Sequence, residues 1–352
     1  MKLALNLTRE KLNRENYRFA RQASASGIIA HLTSYNGAWS GATSQGVPIT
    51  RGGDPIWNLD SLLSIKKEMA QEGLEWYGVE NFDPGDWYDI LLDGPKKNRQ
   101  LDRIKYIIQN MGKAGIRYMG YNFSLTGVYG RKFEPLARGK AMTPHFLASD
   151  PDNDIPIPKG EVWNMVYDPD APQGVQESIS NEELWERCRF FLEQILPVAG
   201  ESGVILAAHP DDPPVPRLRQ NARLIHTHDM FQKLIDLVPH PSNALELCIG
   251  TMAEMDANVY DAVTSFAQQG KIGYAHLRNV VGQVPDYYEV FVDEGDLDIF
   301  QVLTALKKGG YDGVLVPDHA PAMDCSAPWH CAMAYQMGYI KAAMQAAGVY
   351  EP

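Results

Sequence analysis

At 352 residues with 45% hydrophobic content and a formal net charge of −12, the chain can bury one large core, as a single α/β barrel of roughly 250 residues plus insertions or as two ordinary domains. The acidic excess, with no sustained Lys/Arg block, argues against nucleic acid or an anionic membrane as partner and leaves small molecules. The opening run MKLALNL is too short for a secretory segment, and nothing approaches the roughly 18 apolar residues of a membrane span. The four cysteines, Cys188, Cys248, Cys325 and Cys331, lack paired spacing, so a cytoplasmic chain without a disulfide framework is expected.

In chain order, residues 2–7 (KLALNL) read as a strand, a charged amphipathic stretch follows through residue 22, and GIIAHL at 27–32 is the second strand. A Gly/Ser-rich loop at 37–46 precedes a helix over 58–72, with Asn58 as its N-cap and Leu59, Leu62, Leu63, Ile65 and Met69 at helical spacing. LEWYGVEN (74–81) is the third strand. The helix over 98–114 buries Leu101, Ile104, Ile107, Ile108 and Met111 and ends at Gly115, before the fourth strand IRYMGYNF.

From 124 to about 180 the chain is rich in Pro, Asp and Gly, too long for a structureless connector, and is expected to be an ordered excursion over a site, a lid. Alternation resumes with a helix at 181–202, strand VILAAH, helix 228–238, strand ALELCI, helix 258–269, strand IGYAHL, helix 296–308, strand GVLVPD and helix 327–346. Eight such units, with Gly73, Gly115, Gly203, Gly270 and Gly310 at helix ends, close most economically into an α/β (β/α)8 TIM barrel. It would be a single domain over 1–352 with a long insertion after strand four; a doubly wound open sheet is the alternative.

Strands five to eight end on His209, Cys248, His276 and Asp318. Singly, a strand-end cysteine is more often buried filler and a lone histidine a hydrogen-bonded structural residue. Four in succession on the face where barrel active sites sit favour a divalent cation site, and the thiolate alone would favour zinc. His226, His228 and His240 flank a helix away from strand ends, and Cys188 and Cys331 lie within helices, so these read as structural. Trp76, Tyr77, Phe82, Trp87 and Tyr88 read as core, and His330 is ambiguous near the barrel mouth.

The segments AAHPDDPP, CIGT, HLR, GDLDIF and PDH, in this order, resemble mannonate dehydratases, and GIIAHL, WNLDSLLSIKKEMAQEGLEWYGVEN and AGIRYMGYNF look like that family's amino-terminal elements. The resemblance covers most of the chain outside 124–180. It implies a xylose-isomerase-like barrel with manganese (zinc, cobalt, iron and magnesium being the alternatives) held at His209, Cys248, His276 and Asp318. It also implies proton transfer by His319 while a sugar acid such as D-mannonate loses water to give a 2-keto-3-deoxy acid. The chemistry agrees: a cation on the carboxylate and 2-hydroxyl stabilises the charge left at C2, and an imidazole titrating near neutrality can give or take a proton.

For such a substrate, Arg278 is the expected carboxylate partner, with Arg217 and Arg219 as further candidates. Glu80 and Asn122 would meet hydroxyls, and Asp211 and Asp212 would orient ligands. The chain departs from the family pattern at Val316, where an Arg usually precedes Pro-Asp-His, at Ala320 in place of Gly, and in APAMDCSAPWHCA, which lacks a downstream tyrosine. The resemblance gives that tyrosine a catalytic role, for which Tyr129, Tyr287 or His330 are candidate substitutes. The metal site is thus expected to persist while the substrate departs from mannonate itself. A metal-dependent sugar isomerase or epimerase and a non-catalytic carbohydrate-binding relative stay open, as does a homo-oligomer.

Overall fold

The computed structural model describes residues 1–35, 47–255 and 258–352; the predicted Gly/Ser-rich loop lies outside them. Eight parallel strands close a barrel: β1 (Lys2–Leu7), β2 (Gly27–Ala30), β3 (Glu75–Glu80), β4 (Tyr118–Tyr121), β9 (Ile205–Ala208), β12 (Asn243–Cys248), β13 (Ile272–Leu277) and β16 (Val314–Pro317). The barrel and its eight predicted strands are therefore as expected. Nearly every residue of these strands is buried, because helices cover the outside while side chains fill the inside.

The helical layer comprises α1 (Arg14–Gln22), α2 (Leu59–Gln71), α3 (Pro84–Leu92), α4 (Lys97–Ala114), α5 (Asn181–Ser202), α6 (His228–Leu237), α7 (Ile249–Glu254), α8 (Val259–Gln268), α9 (Ile299–Lys308) and α10 (Pro328–Ala346). Of these, α3 and α7 were not expected. Asn58 stands at the N-cap of α2, but its side chain does not cap and instead accepts from Tyr106 Oη. None of the helices among the described residues is long and apolar enough to cross a membrane.

Inside the barrel, Ala4, Ile29, Ala207, Tyr274, Val314 and Val316 form an apolar plug, with Tyr77 and Tyr118 packed against it. The larger apolar cluster lies between strands and helices. The plug fills the barrel interior, reaching Val316, which pairs in register with His276.

The excursion over 124–180 is ordered. It contains the hairpin of β5 (Arg131–Ala137) and β6 (Ala141–Leu147) and the short pair β7 (Glu161–Val162) and β8 (Met165–Val166). A second short pair, β10 (Arg217–Leu218) with β11 (Asn221–Ala222), follows β9. β14 (Asn279–Gln283) and β15 (Asp286–Val290) form another hairpin, and β15 pairs with β6 to give a four-stranded antiparallel sheet. That second hairpin was not expected.

Candidate metal centre and cavity

β12 and β13 pair in parallel so that Cys248 lies beside His276 and Glu246 beside Tyr274. Side chains alternate along a strand, so Glu246 and Cys248 share the inner face, Glu246 one layer deeper. His209 follows β9, its backbone N–H donating to the Tyr121 carbonyl at 2.8 Å. The ligand atoms of His209, Cys248 and His276 lie within 4.8 Å of one another. Asp318, one step past β16, brings Oδ2 to 3.7 Å from Cys248 Sγ and 3.8 Å from His276 Nδ1. His276 Nε2 is 3.2 Å from Glu246 Oε1 and 3.4 Å from Glu80 Oε2.

The electrostatics of this cluster suit a cation. Burial opposes ionisation of Cys248, yet the Arg278 guanidinium and the neighbouring imidazoles of His209 and His276 outweigh it and bring the thiol down to about 5. Burial likewise opposes charge on Asp318, but His319, His276 and Arg278 hold it far below the usual carboxylate range. Burial would lower His209, whereas Cys248 and Glu246 push it up to about 10. Burial and the neighbouring Glu80 raise Glu246. Imidazole, thiol and carboxylate thus push one another towards their charged forms, and a divalent ion bound there would displace protons. Both ring nitrogens of His276 and both carboxylate oxygens of Glu246 are buried without a well-formed hydrogen bond. Mixed soft and hard donors with unsatisfied buried nitrogen fit a divalent metal.

Around the cluster, Arg278 is fully buried. Its Nε donates to Asp318 Oδ2 (3.0 Å), Nη1 to Glu254 Oε1 (2.5 Å), and Nη2 to Asp212 Oδ2 (2.8 Å) and Thr251 Oγ1 (2.9 Å). With its donors so engaged, Arg278 ties the end of β16 to α7 and the loop after β9, and it is not among the residues that line the cavity above the cluster. Arg217 is exposed on β10, where Nη2 reaches Ser178 Oγ at 3.5 Å, and it too lies off the cavity. Arg219 is spent inside the protein on Glu161, Asn164 and the carbonyls of Ile155 and Pro156, clamping the excursion. Asp211 accepts the Leu224 and Ile225 N–H groups and pairs with Arg223, so its role is to shape the loop after β9.

A cavity of about 450 Å³ opens above the cluster, and Glu80, Asn122, His209, His276, Asp318 and His319 line it. Glu80 Oε2 accepts from Asn6 Nδ2 at 2.8 Å. Asn122 Nδ2 donates to the His209 and Pro210 carbonyls at 3.2 Å. His319 Nδ1 sits 2.5 Å from Glu289 Oε2; burial would lower this imidazole, but Asp318 and Glu289 raise it.

None of the three candidate substitutes for the tyrosine is on the wall. Tyr287 is buried and donates to Asp212 Oδ1 at 3.0 Å, Tyr129 lies under Arg219, and His330 Nε2 meets Asn16 Oδ1 at 2.9 Å. The sequence reading missed His31, Glu246, Glu289, Arg131 and Lys11. His31 and Glu246 carried a usable signal, each being a polar residue at or in an otherwise apolar strand run. Arg131 does reach the cavity, its Nη1 bonded to Glu289 Oε1 (2.7 Å) and Asp212 Oδ2 (3.2 Å).

A family model described as D-mannonate dehydratase (UxuA) matches residues 20–132 and 173–352. The mannonate dehydratase of Lactococcus lactis subsp. cremoris is 28% identical over 288 residues, covering 75% of this chain and 78% of that protein. Among solved structures, mannonate dehydratase from Streptococcus suis serotype 2 matches with a TM-score of 0.79 at 23% identity, over 100% of this chain and 96% of the other. A D-psicose 3-epimerase from Clostridium cellulolyticum H10 matches with a TM-score of 0.59 at 11% identity, covering 99% and 98%, a likeness of fold alone.

Proposed function

This chain belongs to the D-mannonate dehydratase family, and from that premise we propose that it is a metal-dependent hydro-lyase that takes water from a sugar acid, D-mannonate or a relative, to give a 2-keto-3-deoxy acid. The observation that carries the reading is the convergence of His209, Cys248 and His276 beside Asp318, with His209, His276, Asp318 and His319 lining the cavity. We assign His209, Cys248, His276 and Asp318 as metal ligands and manganese as the ion, with zinc, cobalt, iron and magnesium as alternatives. When bound, the cation acts as a Lewis acid on the substrate's carboxylate and 2-hydroxyl.

The chain's own groups supply the rest. Glu289 ties His319 Nδ1, which leaves Nε2 to exchange a proton with the substrate. Arg131 takes the carboxylate role first expected of Arg278, because it lines the cavity and Arg278 does not. Glu80 and Asn122 meet hydroxyls. The excursion over 124–180 covers the site, with Val128, Arg131, Phe133, Pro144 and Trp163 on the cavity wall. The proposal extends to a cytoplasmic homo-oligomer.

Proton NMR in deuterated water tests the reaction, using metal-loaded protein with hexonates, uronates and keto-sugars. A new deoxy C3 signal from a hexonate is expected. Deuterium uptake at C2 without loss of water would instead establish an isomerase or epimerase, the second reading, which is favoured by the absence of Tyr129, Tyr287 and His330 from the cavity wall.

A further inference from the structure

In the segment Cys248-Ile249-Gly250-Thr251 the cysteine is an assigned ligand, whereas Gly250 and Thr251 have no part in the proposed reaction. In the first turn of α7 the Thr251 hydroxyl donates to Cys248 Sγ at 3.1 Å, and Arg278 Nη2 donates to the same hydroxyl oxygen at 2.9 Å. A threonine hydroxyl carries a single proton. With Arg278 occupying a lone pair of Oγ1, that proton is left for the sulfur, the only acceptor bonded to it among the described residues. Thr251, Cys248 and Arg278 are all buried, so bulk water does not compete for these bonds.

Gly250 makes room for this arrangement. A methyl group there would come within 2.4 Å of Arg278 Cγ and 3.0 Å of its Nε and Cζ, so a side chain would push the arginine away from α7. Arg278 thereby touches both anionic ligands of the proposed centre, Asp318 directly through Nε at 3.0 Å and Cys248 through Thr251. Thiolate is the donor in the set that favours zinc over harder ions. A hydrogen bond donated to the sulfur draws on the lone pairs it would share with a metal. That loss weighs most on the more covalent bond, which is the one to zinc.

On the ligand assignment proposed above, we infer that Thr251, held by Arg278, is a positioning residue that tempers the Cys248 sulfur and shifts the centre's preference away from zinc towards harder divalent ions such as manganese. Freeing the thiol of its proton costs the same for every ion. It cancels in a ratio of affinities, which therefore reports the donor strength of the sulfur.

Titration of metal-stripped protein with manganese(II), zinc(II) and cobalt(II), each in competition with a chromophoric chelator, tests this. Thr251→Val, close in shape but without the hydroxyl, should raise the zinc-to-manganese affinity ratio about tenfold and move the thiolate-to-cobalt charge-transfer band to lower energy. Thr251→Ala removes the same bond with a smaller side chain and should repeat both changes. Thr251→Ser keeps the hydroxyl and should retain the parent ratio and band. An unchanged ratio or an unmoved band in Thr251→Val and Thr251→Ala, or the same changes in Thr251→Ser, overturns the inference alone. A parent protein whose cobalt form lacks the charge-transfer band overturns the assignment of Cys248 as a ligand, and the inference with it.

Discussion

On the proposed function, Cys248 is an anionic metal donor and His319 a proton carrier, and the two roles should come apart under mutation. Cys248→Ala should lose bound metal, whereas His319→Asn should keep it and lose turnover by on the order of 100-fold or more; elemental analysis beside an activity assay checks both. Asp212 is a test of the scaffold. Burial would raise its carboxyl, but Arg131 and Arg278 bring it down to about 2, below the roughly 3.9 of an unfolded chain. Because the folded value is the lower one, its contribution of roughly 2–3 kcal/mol is present above pH ~4 and lost as pH falls towards 2. Asp212→Asn, which strands two guanidinium groups, should cost about 3 kcal/mol at pH 7. In urea unfolding the gap to the parent protein should narrow in acid; a constant gap would refute the assignment.

Which residues were legible follows from strand position. His209, Cys248, His276 and Asp318 each close an apolar run, and parallel pairing brings such ends together. Glu289 could not be read, since it reaches His319 only through pairing of two hairpins distant in sequence. The engagement of Arg278 was equally invisible, because its partners come from three separate segments: Asp212 after β9, Thr251 and Glu254 in α7, and Asp318 after β16.

Among the elements, helix ends obey local chemistry. Ser180 and Glu183 form a reciprocal capping box at the start of α5, and Gly203 ends that helix at φ +69°. Ser180→Ala should cost about 1 kcal/mol through the lost cap. Gly203→Ala should cost a similar ~1 kcal/mol from backbone strain alone, since an added methyl would meet nothing within 4 Å. Thermal or urea unfolding measures both, and a stabilised Gly203→Ala would contradict the left-handed cap. The barrel strands and their helices were legible because periodicity switches cleanly between strand and helix. The β14–β15 hairpin was not, since NVVGQVPDYYEV is half-exposed and sits where a barrel loop was expected. The helix α3 did leave a signal: Asp83 accepts from the Gly85 N–H and Pro84 occupies the first turn.

At the scale of the whole molecule, barrel and excursion meet at one cavity, with Glu289 of the second hairpin bonded to His319 and Arg131 on its wall, and a cation bound there would link the site to global stability. Ligand at 100 times its dissociation constant should add about 2.7 kcal/mol to unfolding, so chelation should lower the melting temperature of the parent protein and leave Cys248→Ala unmoved. The central claim is that His209, Cys248 and His276, with Asp318, hold a divalent cation on which dehydration depends. Anomalous diffraction from crystals grown with manganese tests this most directly. A single strong peak per chain is expected, bounded by the two imidazoles, the Cys248 sulfur and the Asp318 carboxylate. A cavity floor without that peak, in crystals of protein that dehydrates its substrate, would contradict it.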